Sequence, residues 1–330
     1  MGGGSLNLLA VPKVPVLYNV ERTNQSKERR RQIFMNKVLV LGGTRFFGKK
    51  LVEALLRQGA DVTIATRGKT ADSFGNAVKR ITVDRTDSVA FESAIGSAEW
   101  DVVYDNICFT PQEAEEACAI FAGRVQRYIL TSSLSVYEFG PERRSESDFN
   151  PYMYPIQLEE QSEYSYKEGK RCAEAVLLQK ASFPVCTVRF PIVLGADDYT
   201  KRLHFHVEHV RQDKPIGIPS LEAKLSFISS DEAAEFLAWL KDNAVEGPVN
   251  ACSTGELSLR EIVTTVEEAV GQQAHVISDT SELDDGHKSP FGTADSWFMD
   301  TTKAQQHGFA FRNVTDWFVP LVRDIAAGRA

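Results

Sequence analysis

At 330 residues, with 43% apolar and 25% charged side chains, the chain is long enough and mixed enough to bury a sizeable core, which excludes wholesale disorder. Its formal charge of −8 is unevenly spread: residues 1–34 carry six Lys/Arg against two Glu, so the remainder is the more acidic, at −12. An acidic body gains little from phosphate-backbone attraction, which disfavours nucleic acid as a partner, and no run approaches the ~18 apolar residues of a membrane-spanning helix.

The first 34 residues read as a disordered extension or tag. Their apolar residues are broken by Pro12, Lys13 and Pro15, so they lack the continuous core of a secretory signal. An organelle transit peptide is the sharper alternative, because Arg29, Arg30 and Arg31 crowd the stretch just before the first strand pattern. Five cysteines without CxxC spacing, an odd number, fit reduced thiols in a cytoplasmic protein.

From Lys37 onward, short apolar runs alternate with helical patterns, the signature of βαβ units and a doubly wound parallel sheet. Val38–Leu41 is the first strand, and Phe47, Leu51, Ala54 and Leu55 repeat at helical spacing before Gly59 stops the helix. Strands follow at Val62–Ala65, Ile81–Val83, Val102–Tyr104 and Tyr128–Leu130, with helices near 87–96 and 111–122, the second begun by Pro111. After a polar stretch over 140–163, a helix spans about 164–180, and Val185–Phe190 forms a sixth strand. Beyond Pro191 the pattern loosens: helices near 200–212, 231–241, 258–270 and 314–326, and a strand near 225–228. The expected division is a nucleotide-binding domain over 35–190 and a smaller α/β substrate region over 191–330, with later segments such as 221–250 returning to the first domain.

Between the first strand and its helix the chain reads Gly42-Gly43-Thr44-Arg45-Phe46-Phe47-Gly48. A dinucleotide pyrophosphate needs close backbone approach and free N–H groups at a helix start, and glycines permit both. Gly42, Thr44, Arg45, Phe46, Phe47 and Gly48 are therefore the candidate phosphate-side residues. Arg45 stands where the middle glycine is expected, and its fork can approach phosphate as a bidentate donor. The plain alternative is a tight strand-to-helix turn.

After the second strand come Thr66, Arg67 and Gly68 instead of the acidic residue that accepts the ribose hydroxyls of NAD. Arg67, with Arg45 nearby, attracts a 2′-phosphate, so NADP is expected as the preferred cofactor and NAD as the second choice. Otherwise it is a solvated turn arginine. Asp84, just past the third strand, is placed to accept from an adenine amino group, or else to cap the following helix.

Tyr166-Lys167-Glu168-Gly169-Lys170 sets a tyrosine and a lysine four apart, hence on one helix face. A free phenol titrates near pH ~10, too high for an efficient base at neutrality; an ammonium beneath the ring favours phenolate. Tyr164 is a control, since its fourth neighbour is Glu168, which opposes phenolate. Thr131-Ser132-Ser133-Leu134-Ser135-Val136-Tyr137 places hydroxyls at the carboxyl edge of the sheet, where a serine can orient a substrate oxygen or merely satisfy loop backbone.

Together, the arginine-bearing glycine turn, the serine-rich strand end, Tyr166-x-x-x-Lys170 and Arg189-Phe190-Pro191 with Gly195 resemble the extended short-chain dehydrogenase/reductases, the NAD-dependent epimerase/dehydratase group, over about residues 36–325. The arginine-containing turn is similar to that of an atypical branch that includes chloroplast stem-loop RNA-binding proteins. The resemblance implies a Rossmann domain, Ser133, Tyr166 and Lys170 as catalytic residues, a second region closing over a nucleotide sugar or related small carbonyl or alcohol substrate, and a homodimer. Asp197-Asp198-Tyr199-Thr200-Lys201-Arg202 is then expected near that substrate, with Arg202 meeting a phosphate or staying solvated. The alternative is a non-catalytic cofactor-binding protein acting as an RNA-binding or regulatory module. His204, His206 and His209 crowd one helix, but residues two apart point some 200° from one another, so no metal is expected. Trp239, Trp297 and Trp317 read as core or interface residues.

Overall fold

The computed structural model describes residues 1–2, 37–156 and 164–330; the N-terminal segment discussed above lies outside the described residues beyond Gly2. In chain order the first part contains β1 (Lys37–Leu41), α1 (Phe46–Arg57), β2 (Asp61–Thr66), β3 (Lys79–Thr82), α2 (Ser88–Ile95), β4 (Trp100–Asp105), α3 (Pro111–Phe121), β5 (Val125–Ser133), α4 (Tyr166–Lys180) and β6 (Val185–Phe190). The second contains β7 (Ile192–Leu194), α5 (Arg202–Arg211), β8 (Pro215–Gly217), β9 (Lys224–Leu225), β10 (Phe227–Ser229), α6 (Ser230–Leu240), β11 (Gly247–Asn250), β12 (Leu257–Ser258), α7 (Leu259–Val270), β13 (His275–Ile277), α8 (Thr302–Gln306) and α9 (Val314–Ala326).

Seven strands pair in parallel in the order β11-β6-β5-β4-β1-β2-β3. β1 buries Val38 to Leu41 without a break, the unbroken apolar run of a strand covered on both faces. Alternation divides that run: Val38 and Val40 join one core with Leu51, Leu55, Phe236 and Leu237, while Leu39 and Leu41 join another with Ala114, Ala117, Ala173 and Val176. α1 and α6 therefore cover one face, and α3 and α4 the other. Strand order reverses at β1, whose neighbours β2 and β4 lead in opposite directions, and such a switch point opens a crevice at the strands' carboxyl ends.

The last sheet strand, β11, arrives well after residue 191 and pairs with β6. Its sequence, Gly-Pro-Val-Asn, carries no strand pattern. Pro248 is tolerated because β11 lies at the sheet's edge. The strand expected near 225–228 is two: β9 pairs antiparallel with β12, whereas β10 pairs parallel with β7. Ser226 makes the break, its Oγ buried and accepting from the Met299 N–H at 3.0 Å. A separate core joins α5, α7 and α9 through Leu203, Val207, Ile262, Val266, Phe318 and Val322. Trp239 packs against the sheet core beside Phe309, and Trp317 donates to Ser253 Oγ at 3.0 Å.

Candidate active site

The glycine turn sits at the switch point. Gly42 has φ +74°, a left-handed conformation that suits glycine, and a Cβ there would come within 2.6 Å of Ile107 Cγ2. Thr44 is half-buried and Arg45 exposed. The Phe46 ring is buried and Phe47 packs on Phe190 with centroids 5.8 Å apart, so both offer the turn their backbone rather than their rings. Phe46 itself has φ +52°, a conformation that costs a bulky residue roughly 1–3 kcal/mol and clusters at functional sites. Arg45 is the N-cap of α1 and makes no side-chain cap bond. By contrast, α2, α3, α4, α6, α7 and α9 are capped by Asp87, Thr110, Ser165, Ser229, Ser258 and Asn313. The N–H groups at the start of α1 thus have no capping side chain from their own helix, which is the condition for holding an anion.

A residue that sequence reasoning missed fastens this turn. Asn106 Nδ2 donates to Gly42 O at 3.2 Å, and Thr131 Oγ1 donates to Asn106 Oδ1 at 2.7 Å. One amide therefore joins the ends of β1, β4 and β5. Beneath it the fully buried Asp105 takes the Arg85 guanidinium and the Tyr128 hydroxyl, and accepts from the Ile107 N–H at 3.0 Å.

On the other flank, Arg67 is exposed and makes no hydrogen bond among the described residues. Asp84 is held below the usual carboxylate range by the N–H and hydroxyl of Thr86, helped by the charges of Arg67 and Lys69. Asp87, not Asp84, caps α2, by accepting from the Ala90 N–H at 3.0 Å; capping, one of the two expectations for Asp84, is therefore corrected.

α4 begins at Tyr166, with Ser165 as its cap. Tyr164 lies before the helix, so its expected face-sharing with Glu168 does not occur; Glu168 instead accepts from the Tyr154 hydroxyl at 2.9 Å. Tyr166 is 55% exposed, with Phe109 beside it at 6.2 Å between centroids. Lys170, one turn on, is 1% exposed. Its Nζ donates to Cys108 O at 2.7 Å and Thr131 O at 2.8 Å, and lies 6.0 Å from the centre of the Tyr166 ring. Gly169 permits this insertion: a Cβ there would stand 2.2 Å from Phe109 O. The signal for it was present, because a glycine in a helix interior weakens the helix unless something packs against it.

Ser133 closes β5. Its Oγ accepts from the Ser135 N–H at 3.1 Å, which leaves the O–H to donate. Ser135 Oγ is buried without a hydrogen-bond partner among the described residues. Ser132 donates to Glu174, which pairs with Arg189, both side chains fully buried. Arg189 also donates to Tyr137 Oη at 2.7 Å and to the carbonyls of Glu146 and Phe149 at 3.1 Å. Burial opposes its charge, but the adjoining Glu174 carboxylate prevails and raises the guanidinium above its ordinary value. Sequence reasoning counts Arg189 in the Arg189-Phe190-Pro191 run of the family resemblance but gives neither it nor Glu174 a role.

The α5 histidines are engaged separately. His206 is buried, with Nδ1 facing Arg202 O at 3.0 Å and Nε2 facing Ser289 Oγ at 2.7 Å, and burial pushes it down to about 4. His209 stacks on Phe205. Among the described residues no cluster of three His, Cys, Asp or Glu is arranged for a metal, and no helix is long and apolar enough to cross a membrane.

The parallel sheet, its order and its covering helices define a doubly wound α/β protein of Rossmann type. The chain belongs to the NAD dependent epimerase/dehydratase family, whose sequence model matches residues 38–252. It is 25% identical over 292 residues to the chloroplast stem-loop binding protein of 41 kDa b of Arabidopsis thaliana, covering 82% of this chain and 73% of that protein. UDP-glucuronic acid decarboxylase 1 of the same plant is 24% identical over 282 residues, covering 76% of this chain and 62% of that protein, so this chain spans less than two thirds of its length. Among solved structures, the UDP-glucose 4-epimerase of Thermus thermophilus in complex with NAD superposes with a TM-score of 0.66 at 19% identity, over 89% of this chain and 99% of that one. MoeE5 in complex with UDP-glucuronic acid and NAD gives 0.68 at 18% identity, over 89% and 100%.

Proposed function

We propose that the chain is an NAD(P)-linked epimerase, dehydratase or reductase acting on a nucleotide sugar or related small carbonyl or alcohol substrate. The observation that carries this reading is Lys170. Its ammonium is buried where the ends of β4 and β5 meet, one helical turn from an exposed Tyr166 whose ring is 6.0 Å away. The family supports the reaction class, and the solved neighbours, a UDP-glucose 4-epimerase in complex with NAD and MoeE5 in complex with UDP-glucuronic acid and NAD, support the ligand class.

The residues fit a dinucleotide. The uncapped start of α1, with Gly42, Thr44, Phe46, Phe47 and Gly48 supplying backbone and Arg45 a guanidinium, takes the pyrophosphate. Asp84 is the acceptor for the adenine amino group in this reading, and the guanidinium of Arg67, with no hydrogen bond among the described residues, favours a 2′-phosphate, so NADP is preferred over NAD. A bound nicotinamide supplies the hydride acceptor or donor. Tyr166 takes or gives the proton at the substrate oxygen, Lys170 holds that phenol's surroundings positive and fixes a ribose hydroxyl, and Ser133 donates to the same substrate oxygen. On the substrate side, α5 also starts without a side-chain cap, at Lys201. Arg202, held by Thr200 Oγ1 at 2.9 Å, is available there to a diphosphate.

A second reading, an RNA-binding or regulatory module without turnover, draws support from the name of the stem-loop binding relative, and the acidic body weighs against it. Calorimetric titration with NADPH and NADH, followed by a screen of UDP-sugars, tests the first reading. Tyr166→Phe is expected to cut turnover by about 10²-fold or more while leaving the thermal midpoint in place; turnover within twofold of the parent overturns the mechanism. Tighter binding of NADH overturns the role of Arg67. Salt-dependent RNA binding without hydride exchange replaces the first reading with the second.

A further inference from the structure

Arg45 is held in place from two sides. Its Nε donates to Thr70 Oγ1 at 3.2 Å, in the loop after β2. Its guanidinium carbon lies 5.8 Å from the centre of the Tyr199 ring, in the loop that leads into α5. Nη1 and Nη2 make no hydrogen bond among the described residues, so the end of the fork that suits a phosphate bidentately is the end left open. The side chain thus reaches from the β2 loop to the second region, across the start of α1.

Tyr199 is not a chance neighbour. Its ring meets Phe46 edge-on at 6.2 Å, and Phe46 is the strained first residue of α1. The loop is pinned just before it: Lys50, half-buried on α1, donates to Ser230 Oγ at 2.8 Å and pairs with Asp197 at 3.5 Å and Asp231 at 2.9 Å. A Cβ on Gly195 would stand 2.3 Å from Ser230 Oγ, so the loop's entry is packed tightly against the start of α6. Tyr199 itself is 64% exposed. A large apolar ring held in solvent by a pinned loop calls for a purpose other than core packing.

We infer that Tyr199 and Thr70 are positioning residues that fix the Arg45 guanidinium, before any ligand arrives, with its two Nη groups presented to the diphosphate of the dinucleotide. The glycine of a conventional turn contacts phosphate through backbone and has no rotamers to lose. An arginine in that place gives up several rotamers on binding. A ring face on one side and a hydroxyl acceptor on the other remove that loss in advance. The inference rests on the dinucleotide reading above and adds that the second region contributes to the affinity of the cofactor's phosphates.

The test is calorimetric titration of the full chain with ADP, NADH and NADPH. Tyr199→Ala and Thr70→Val are each expected to raise the Kd for ADP and for both dinucleotides about two- to fivefold, and Tyr199→Phe, which keeps the ring, to stay within the parent's error. In an Arg45→Ala background, Tyr199→Ala is expected to add nothing. Equal affinity of Tyr199→Ala and parent, alongside weakened Arg45→Ala, overturns the inference and leaves the dinucleotide reading standing. A Tyr199→Ala effect that persists undiminished without Arg45 also overturns it. If the parent chain binds none of the three probes, the inference and the reading beneath it fall together. Unchanged thermal midpoints confirm that these surface variants remain folded.

Discussion

Four arginines around the sheet divide into two pairs. Arg189 and Arg85 are buried, at 0% and 5% exposure, each against a fully buried carboxylate, Glu174 and Asp105. Arg45 and Arg67 are exposed, the first with one hydrogen bond to a threonine and the second with none among the described residues. Arg189 has used its donors within the fold, and Arg85 has committed both Nη groups there, to Asp105 and the Glu113 carbonyl, leaving its buried Nε without a hydrogen bond among the described residues. Arg189 gathers β5, α4, β6 and the loop at 146–149 around one charge, and Arg85 ties the loop after β3 to the end of β4. The exposed pair keep donors available at the crevice. The difference teaches that an arginine near a binding site is informative by what it leaves unbonded, since the residue type is the same in all four cases.

The contrast breaks most visibly on the buried side. Arg189→Met leaves the Glu174 carboxylate buried without its partner, and removing one member of such a pair costs about 3–5 kcal/mol. Denaturant or thermal unfolding is expected to show that loss, and Arg189→Met with Glu174→Leu to recover much of it. A single variant as stable as the parent would place the pair among the solvated ones.

Acid offers the next largest effect. His206 is buried and neutral, pushed down to about 4 from an ordinary 6.5. The unfolded chain binds the proton first, so stability attributable to this site is complete above pH 6.5 and is lost as pH falls toward 4. The loss amounts to about 3 kcal/mol. His206→Gln is expected to be less stable at neutral pH but to show a flatter stability profile between those values; an unchanged slope refutes this. The smallest effect belongs to the exposed side. Arg67→Glu is expected to raise the Kd for NADPH about tenfold or more, near 1.4 kcal/mol, to leave NADH within about twofold, and to shift stability by less than about 0.5 kcal/mol.

How much of this was legible depended on how local the cause was. The first strand, its glycine turn and α1 were readable because an apolar run, two glycines and a 3.6-residue period lie in consecutive positions. α4 was readable from its own spacing, including the shared face of Tyr166 and Lys170. What Lys170 binds was not: its partners are backbone carbonyls 62 and 39 residues away, and a carbonyl has no sequence signature. The same holds for Asn106, whose role is set by the ends of three strands meeting at one place. β11 escaped because an edge strand of Gly-Pro-Val-Asn owes its extended form to β6 rather than to its own residues. Phe46 escaped because nothing in its neighbours' identities demands a left-handed conformation there.

The position of β11 also has a consequence for biosynthesis. Translation delivers β6 about sixty residues before the strand that flanks it, and every residue of β6 is buried in the finished molecule. While the chain is still emerging, that strand's outer row of amide and carbonyl groups faces open solvent, a template for pairing with any other extended segment. Fragments that stop near residue 190 are thus left with an adhesive rim, and the shortest piece that closes it must extend through Asn250.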